Sequence, residues 1–561
     1  WHYGQMNLPA AWDGFAQPED AGAGVTVAFI DSGILWDATD PNKHHPDFDC
    51  EVAPGKPKIL PGYDFLSNDD NPFDTDTLAG FHGTHVAGIL GACTNNALGI
   101  AGVAWQSQVL PIRALDSSGG TIEGIARAIY WAAGLTSPSG LGPVPANPHP
   151  AQVINMSLGG EQSPSPTLQA AIDAVTAKGV VVVVAGGNQN IDAAKFTPAN
   201  LQGIIAVGAL APDKARASYS NFGSTIAIVA PGGDFVQRSK AEDGVLSTLA
   251  CGDGDIGQFY LPAGGSPPPC NNWGYGSYHG TSMASPHVAG LVALMLSKNP
   301  ALRAPDPNNW VRIRSYLQDS SSLEGLTRCQ QGCGAGLVNA SRALQKASSL
   351  PDIGAVLVRN PASELNFGSS RTSDTFSIKN VGDSATTLNL SVFGAGLSVS
   401  PTAATLAAGA TQIVTVNLNR SSVEGSFAAR IQILYGTRSL EQRVYYAQGQ
   451  SQITNPAGYF LRIYRVNNAD SRTRLNYPDT PLGAGGAFSF DALDPGQYDI
   501  TAYREGSVNP DGTINATELG EARGLFAFDA PVTTEVTMES APQVICSRDG
   551  SVQDGPTKCP R

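Results

Sequence analysis

Positive charge is in short supply in this sequence: 34 Lys and Arg stand against 48 Asp and Glu, a formal balance of −14. A chain of that sign repels nucleic-acid phosphates and anionic lipid surfaces, so neither is expected as a partner. Long apolar runs are missing as well. The longest, such as residues 180–185, fall far short of the ~20 residues that span a bilayer, so no transmembrane segment is expected. Charged residues make up only 15% of the chain while 42% are hydrophobic, which excludes a disordered polymer and predicts folded domains. No C-x2-C cluster with histidine partners occurs, so the 8 cysteines do not read as a structural zinc site. They fall in four close pairs along the chain, Cys50 with Cys93, Cys251 with Cys270, Cys329 with Cys333 and Cys546 with Cys559. That spacing reads as disulfides in an oxidising, extracellular compartment, with the pairing itself left open. There is no initiating Met, basic leader or apolar h-region before Trp1, so the expectation is a mature chain whose preceding segment has been removed.

What is present divides by texture. At ~100–200 residues per domain, 561 residues call for about three domains. Through residues 1–349 near-continuous apolar runs (25–30, 109–115, 153–158, 180–185, 204–208 and 226–230) alternate with helix-like stretches at 82–92, 122–135, 166–178 and 281–297. This is the pattern of an α/β domain, a mostly parallel sheet with helices on both faces. From 352 to 450 the period changes to two, with Gly, Ser and Asn at the turns, which predicts an all-β sandwich of immunoglobulin-like pattern. A second small all-β sandwich is expected over 457–540, followed by a cysteine-containing tail at 541–561.

Acyl transfer at neutral pH needs a nucleophile, a base, a group that orients the base, and donors for the oxyanion. Asp31 ends the first apolar run and so sits at the carboxyl edge of the sheet, where sites in such folds collect. His82 starts a helix, and Ser282 opens another with Pro286 expected in its first turn. Taken singly, the three also read as a turn former, a helix-end residue and an N-cap. Their flanking strings, however, are Ile30-Asp31-Ser32-Gly33, His82-Gly83-Thr84-His85-Val86-Ala87-Gly88 and Gly280-Thr281-Ser282-Met283-Ala284. Together, in that order, they resemble the three active-site signatures of the subtilisin-like serine peptidases, over residues 1–347.

The resemblance implies that Ser282 attacks the scissile carbonyl, that His82 takes its proton, and that Asp31 holds the imidazole. It implies that Asn188, in Ala185-Gly186-Gly187-Asn188, supplies the oxyanion amide. Substrate would lie as an added strand between Ser157-Leu158-Gly159-Gly160 and Ala185-Gly186-Gly187. The base of the pocket for the residue before the cut falls at Lys195 or Phe196, so acidic and apolar preferences both stay open. The pair His82 and His85 invites a zinc reading, but no second motif with a carboxylate accompanies it.

Structural calcium is the expected cofactor. Residues 95–103, with Asn96, resemble a calcium loop of the family, and Asp47 matches its carboxylate partner. Asp69, Asp70, Asp74 and Asp76 form a second candidate cluster, with a solvated acidic loop as the alternative. In the last domain Asn509, Asp511 and Glu518 meet an EF-hand-like spacing that a β-turn would equally explain, and 488–500 looks like prealbumin-like repeats. The expectation is a secreted, monomeric endopeptidase acting on proteins or peptides, its removed pro-region serving as folding aid and inhibitor. The alternative is a surface adhesin carrying a vestigial peptidase domain.

Overall fold

The computed structural model describes residues 1–446 apart from 38, 76–79, 163, 235–240, 251–272, 331, 352, 361–364, 368–370, 423–426 and 437; beyond 446 it describes only the backbone of strands between Phe460 and Ser547. The chain divides into two compact units, Trp1–Ile353 and Gly354–Arg561.

The first unit is built on β1 (Thr26–Asp31), β2 (Tyr63–Asp64), β3 (Gln108–Arg113), β4 (Val153–Met156), β5 (Gly160–Glu161), β6 (Val181–Ala185), β7 (Phe196–Thr197), β8 (Ile204–Leu210), β9 (Ile226–Pro231), β10 (Val245–Leu249) and β11 (Gly274–Tyr278). Its longer helices are α1 (His82–Gly91), α2 (Ile122–Ala132), α3 (Pro166–Thr176), α4 (Thr281–Lys298), α5 (Asn309–Ser320) and α6 (Ala340–Ser349). Seven strands form one sheet in the order β9-β8-β6-β4-β1-β3-β2, and every pairing in it is parallel.

The apolar runs make these strands because successive side chains point to opposite faces, and here both faces are covered. Ala28 and Ile30 of β1, Ile154 and Met156 of β4, and Val182 and Val184 of β6 pack in one core with Ile125 and Ile129 of α2 and Ile172 and Val175 of α3. Their alternates Val27, Phe29, Val153, Val181 and Val183 are equally buried, on the face that α1 and α4 cover. Helix α4 is buried on all sides from Met283 to Leu296, which is why its sequence shows no polar stripe. Local chemistry sets the helix starts: Thr121 Oγ1 accepts from the Gly124 N–H at 3.0 Å at the head of α2, and Ser165 Oγ from the Leu168 N–H at 3.3 Å at the head of α3.

The strand order places the site. From β1 the chain moves to β2 and β3 on one side and then to β4 on the other, so the carboxyl end of β1 is a topological switch point, and Asp31 is its last residue. Two disulfides join described residues, Cys50–Cys93 and Cys329–Cys333.

In the second unit a four-stranded sheet (Leu357–Asn360, Ser373–Asn380, Thr411–Leu418, Leu397–Ser400 in spatial order) and a five-stranded one share a core. Phe376, Ile378, Val414 and Val416 from the first sheet interlock with Leu388, Leu390, Ile431 and Ile433 from the second, the period-two pattern of a sandwich. Further along, Phe460–Asn468, Tyr498–Tyr503 and Gly520–Ala522 are neighbours in an antiparallel sheet. The EF-hand-like residues Asn509, Asp511 and Glu518 lie outside the described residues, as do Asp76, Cys251, Cys270 and Cys559.

Candidate active site

Asp31 is fully buried at the end of β1, and His82 is the first residue of α1. His82 Nδ1 donates to Asp31 Oδ1 at 2.7 Å, and the Ser32 N–H donates to the same oxygen at 2.8 Å. Among the described residues Asp31 Oδ2 has no hydrogen-bond partner, and His82 is the cationic partner that this carboxylate is positioned to acquire. Burial by itself pushes the His82 pKa down. The charge of Asp31, its hydrogen bond and the more distant Asp74 outweigh that, and the pKa ends above its usual value.

Asp74 does something other than bind metal. It is fully buried beneath the first turn of α1, where Oδ2 accepts from the Thr84 hydroxyl at 2.9 Å, the Thr84 N–H at 3.3 Å and the Ser32 hydroxyl at 3.2 Å. The Ser32 hydroxyl in turn accepts from the Gly83 N–H at 2.9 Å. The end of β1 and the start of α1 are thus tied together through one carboxylate, which also suits the positive end of the helix. Asp69 is exposed, its carboxylate accepting from the Asn71 N–H at 3.0 Å. Of the expected acidic cluster, Asp74 is engaged at the helix start, and Asp76 lies outside the described residues.

Ser282 is the second residue of α4. The sequence expectation placed Pro286 in the first turn; instead it is the sixth residue of the helix, inside it. Proline has no N–H, so the Ser282 carbonyl loses its helical partner. Ser157 replaces it, its hydroxyl donating to that carbonyl at 2.9 Å. Ser157 Oγ also lies 3.0 Å from Ser285 Oγ and accepts from Asn155 Nδ2 at 3.0 Å, while the Ser282 hydroxyl donates back to the Ser157 carbonyl at 3.3 Å. Asn188 is positioned from the neighbouring residue: its Oδ1 accepts from the Thr281 N–H at 2.9 Å and the Thr281 hydroxyl at 2.8 Å, and Thr281 Oγ1 accepts from the Gly187 N–H at 3.0 Å.

The segments Ser157-Leu158-Gly159 and Ala185-Gly186-Gly187 run off the ends of β4 and β6, adjacent parallel strands, so they leave the sheet edge side by side next to Ser282. Buried Asn221 holds the second of them. Its Nδ2 donates to the Gly186 carbonyl at 2.9 Å, and its Oδ1 accepts from the Gln189 and Ile191 N–H groups at 3.0 and 3.1 Å. His85 faces away from any ligand set, with Nε2 3.1 Å from the Gly276 carbonyl and its ring stacked on Tyr278, and burial pushes its pKa down to about 3.

Calcium takes six to eight converging oxygens. Around Asp47 the structure converges donors instead. Oδ1 accepts from Asn96 Nδ2 at 2.7 Å and Oδ2 from the Ile100 N–H at 3.1 Å, while Asn96 Oδ1 accepts from the Leu98 N–H at 3.2 Å. The Tyr275 ring occupies the inside of the loop, where a Cβ on Gly99 would come within 2.0 Å of it. Burial and the neighbouring Asp47 push that phenol's pKa up, and burial raises the Asp47 pKa too. As placed, these residues do not fit a calcium ion, and among the described residues no group of three or more His, Cys, Asp or Glu is set to hold a metal.

A family model described as the subtilase family matches residues 22–336, more than half of the chain. The chain belongs to the subtilase family. Among the relatives of this subtilase is the extracellular protease of Xanthomonas campestris pv. campestris, 38% identical over 367 residues that cover 61% of this chain and 54% of that protein. The chain therefore spans about half the length of that relative. Subtilisin Savinase of Lederbergia lenta is 33% identical over 350 residues, 61% of this chain and 97% of that protein. A solved structure of a protease from Pseudoalteromonas arctica is 39% identical and covers 62% of this chain and 97% of its own, with a TM-score of 0.49. Asp31, His82, Asn188 and Ser282 are the residues expected from the motif strings. Of the residues that buttress them, Ser32, Asn155, Asn221 and Thr281 are not singled out from sequence, although Ser32 and Thr281 stand inside the motif strings, and Asp74 reads there only as a member of an acidic cluster.

Proposed function

We propose that this subtilase is a secreted serine endopeptidase that hydrolyses peptide bonds through an acyl-enzyme. The observation that carries the reading is the 2.7 Å bond between His82 and buried Asp31 at the sheet's switch point, on a helix packed against the one that Ser282 opens.

The Ser282 hydroxyl turns from the Ser157 carbonyl towards His82 as substrate binds. Its proton passes to Nε2 while Oγ bonds to the scissile carbon, and Asp31 stabilises the imidazolium through Nδ1. With Oδ1 of Asn188 held by Thr281, the amide's N–H end is the one left for the oxyanion, beside the Ser282 N–H. Collapse of the tetrahedral adduct breaks the C–N bond, and His82 returns the proton to the leaving amine. Water then repeats the sequence on the ester, releasing the acid and restoring the Ser282 hydroxyl.

Substrate backbone would pair with the segments after β4 and β6 as an added strand. The regions 352–450, 457–540 and 541–561 are read as accessory domains and tail, with no part in bond cleavage. Secretion is supported by the name of the Xanthomonas relative and by the disulfides. Calcium has no step in this mechanism.

The test is casein hydrolysis by the full chain with and without a serine-directed organophosphorus reagent, beside Ser282→Ala. Hydrolysis that the reagent abolishes, and a folded Ser282→Ala with turnover down by several orders of magnitude, are expected. Near-wild-type hydrolysis by Ser282→Ala would end the reading, and an unmodified, inactive wild-type chain would favour the vestigial alternative.

A further inference from the structure

Between the two segments that flank Ser282 lies one aromatic ring. Phe196 opens β7, which pairs antiparallel with β5 so that Phe196 stands opposite Glu161 and Thr197 opposite Gly160. That pairing brings the side chain beside Gly159, on one wall of the gap. A Cβ on Gly159 would come within 2.4 Å of the Phe196 ring, and a Cβ on Gly187, on the facing wall, within 2.9 Å. These glycines have φ of +155° and +100°, so neither position could readily carry a larger residue even without the ring. The ring touches both walls and keeps only 4% of its surface exposed, as part of the core on that side of the sheet. Its backbone cannot easily swing away, since the preceding Lys195 carbonyl accepts from the Gln162 N–H at 3.0 Å and the Asn200 N–H donates to the Phe196 carbonyl at 3.0 Å.

We propose that Phe196 is the floor of the pocket for the residue preceding the scissile bond and limits that residue to small apolar side chains such as alanine. This rests on the endopeptidase reading and names the substrate class for it. The bare walls give a side chain room to enter, but the ring takes the depth that an aromatic or long aliphatic group would need. Admitting one would mean overpacking a rigid core position. A neutral ring also offers an acidic side chain no counter-charge and no hydrogen-bond donor, so burying a carboxylate there would go uncompensated.

The experiment compares two chromogenic peptide amides, identical except for Ala or Phe before the cleaved bond, on the full chain. Active sites are counted by titration with the organophosphorus reagent. The wild type is expected to favour Ala over Phe by at least ~10-fold in kcat/KM, and Phe196→Gly to invert that preference, the scale that lost or gained side-chain bulk has in an apolar pocket. Phe196→Leu should move the ratio partway, and it carries the test if Phe196→Gly yields no titratable sites. A titrating wild type that prefers the Phe substrate, or folded variants whose ratio does not move, overturns the pocket assignment alone. A wild type that neither cleaves nor titrates overturns the endopeptidase reading and the pocket with it.

Discussion

Under the proposed mechanism the Asp31–His82 pair sets the working pH. Because Asp31 holds the His82 pKa above the ordinary value of 6.5, His82 stays protonated further up the scale and becomes a competent base only above that range. The acid limb of kcat/KM should therefore lie above 6.5. In Asp31→Asn the raising influence of that charge is gone while burial remains, so the limb should move to lower pH, with kcat down by ~10⁴ from loss of the oriented tautomer. A pH profile of the two proteins decides it, and an unmoved limb would mean that the titrating group is not His82. The same scale shows a limit of motif reading. Asp74 sits in an acidic run that invites a metal, yet its Oδ2 accepts from Thr84 and Ser32, contacts that only the approach of α1 to β1 creates.

At the scale of elements, the site depends on how closely α1 sits against the end of β1. Gly83, directly after His82, has room for nothing more: a Cβ there would lie 2.3 Å from the Gly33 carbonyl oxygen and 2.9 Å from its nitrogen. Both are backbone atoms that cannot rotate away. Gly83→Ala is expected to lift the first turn of α1 and lengthen the His82–Asp31 bond. Since small misplacements of catalytic groups cost up to ~10²-fold, kcat/KM should fall at least ~10-fold. Measuring kcat/KM together with the melting temperature checks this, and unchanged kinetics would show that the close approach is not what aligns the pair. Helix α4 makes the complementary point. Its interior Pro286 frees the Ser282 carbonyl, and the Ser157 hydroxyl that takes it joins the helix that carries Ser282 to the segment leaving β4.

For the whole molecule, the residues proposed to bind and cut substrate lie within the unit Trp1–Ile353, which has its own parallel sheet and core. A fragment ending at Ile353 is expected to fold and to cleave short peptides at close to the full-chain rate. If the remaining unit matters, it should do so on large or insoluble substrates, by raising local concentration. Peptide and fibrous-protein digestion by the two proteins separates these. Equal loss of both activities in the fragment, or failure to fold, would make the second unit part of the catalytic body.

Read alone, the sequence determined what depends on near neighbours. Apolar runs buried on both faces announced the parallel strands, period-two alternation announced the sandwich, and three short strings marked Asp31, His82 and Ser282, because periodicity and motif chemistry are properties of adjacent residues. Only the tertiary structure decided what depends on strand order and register. It brought His82 to Asp31 across 51 positions, committed Asp74 to a helix start, set Asn96 and the Ile100 N–H on Asp47, and set Phe196 against Gly159 and Gly187. Each of these is a contact between segments distant in sequence, where the same residue types suit several partners and packing geometry alone selects among them.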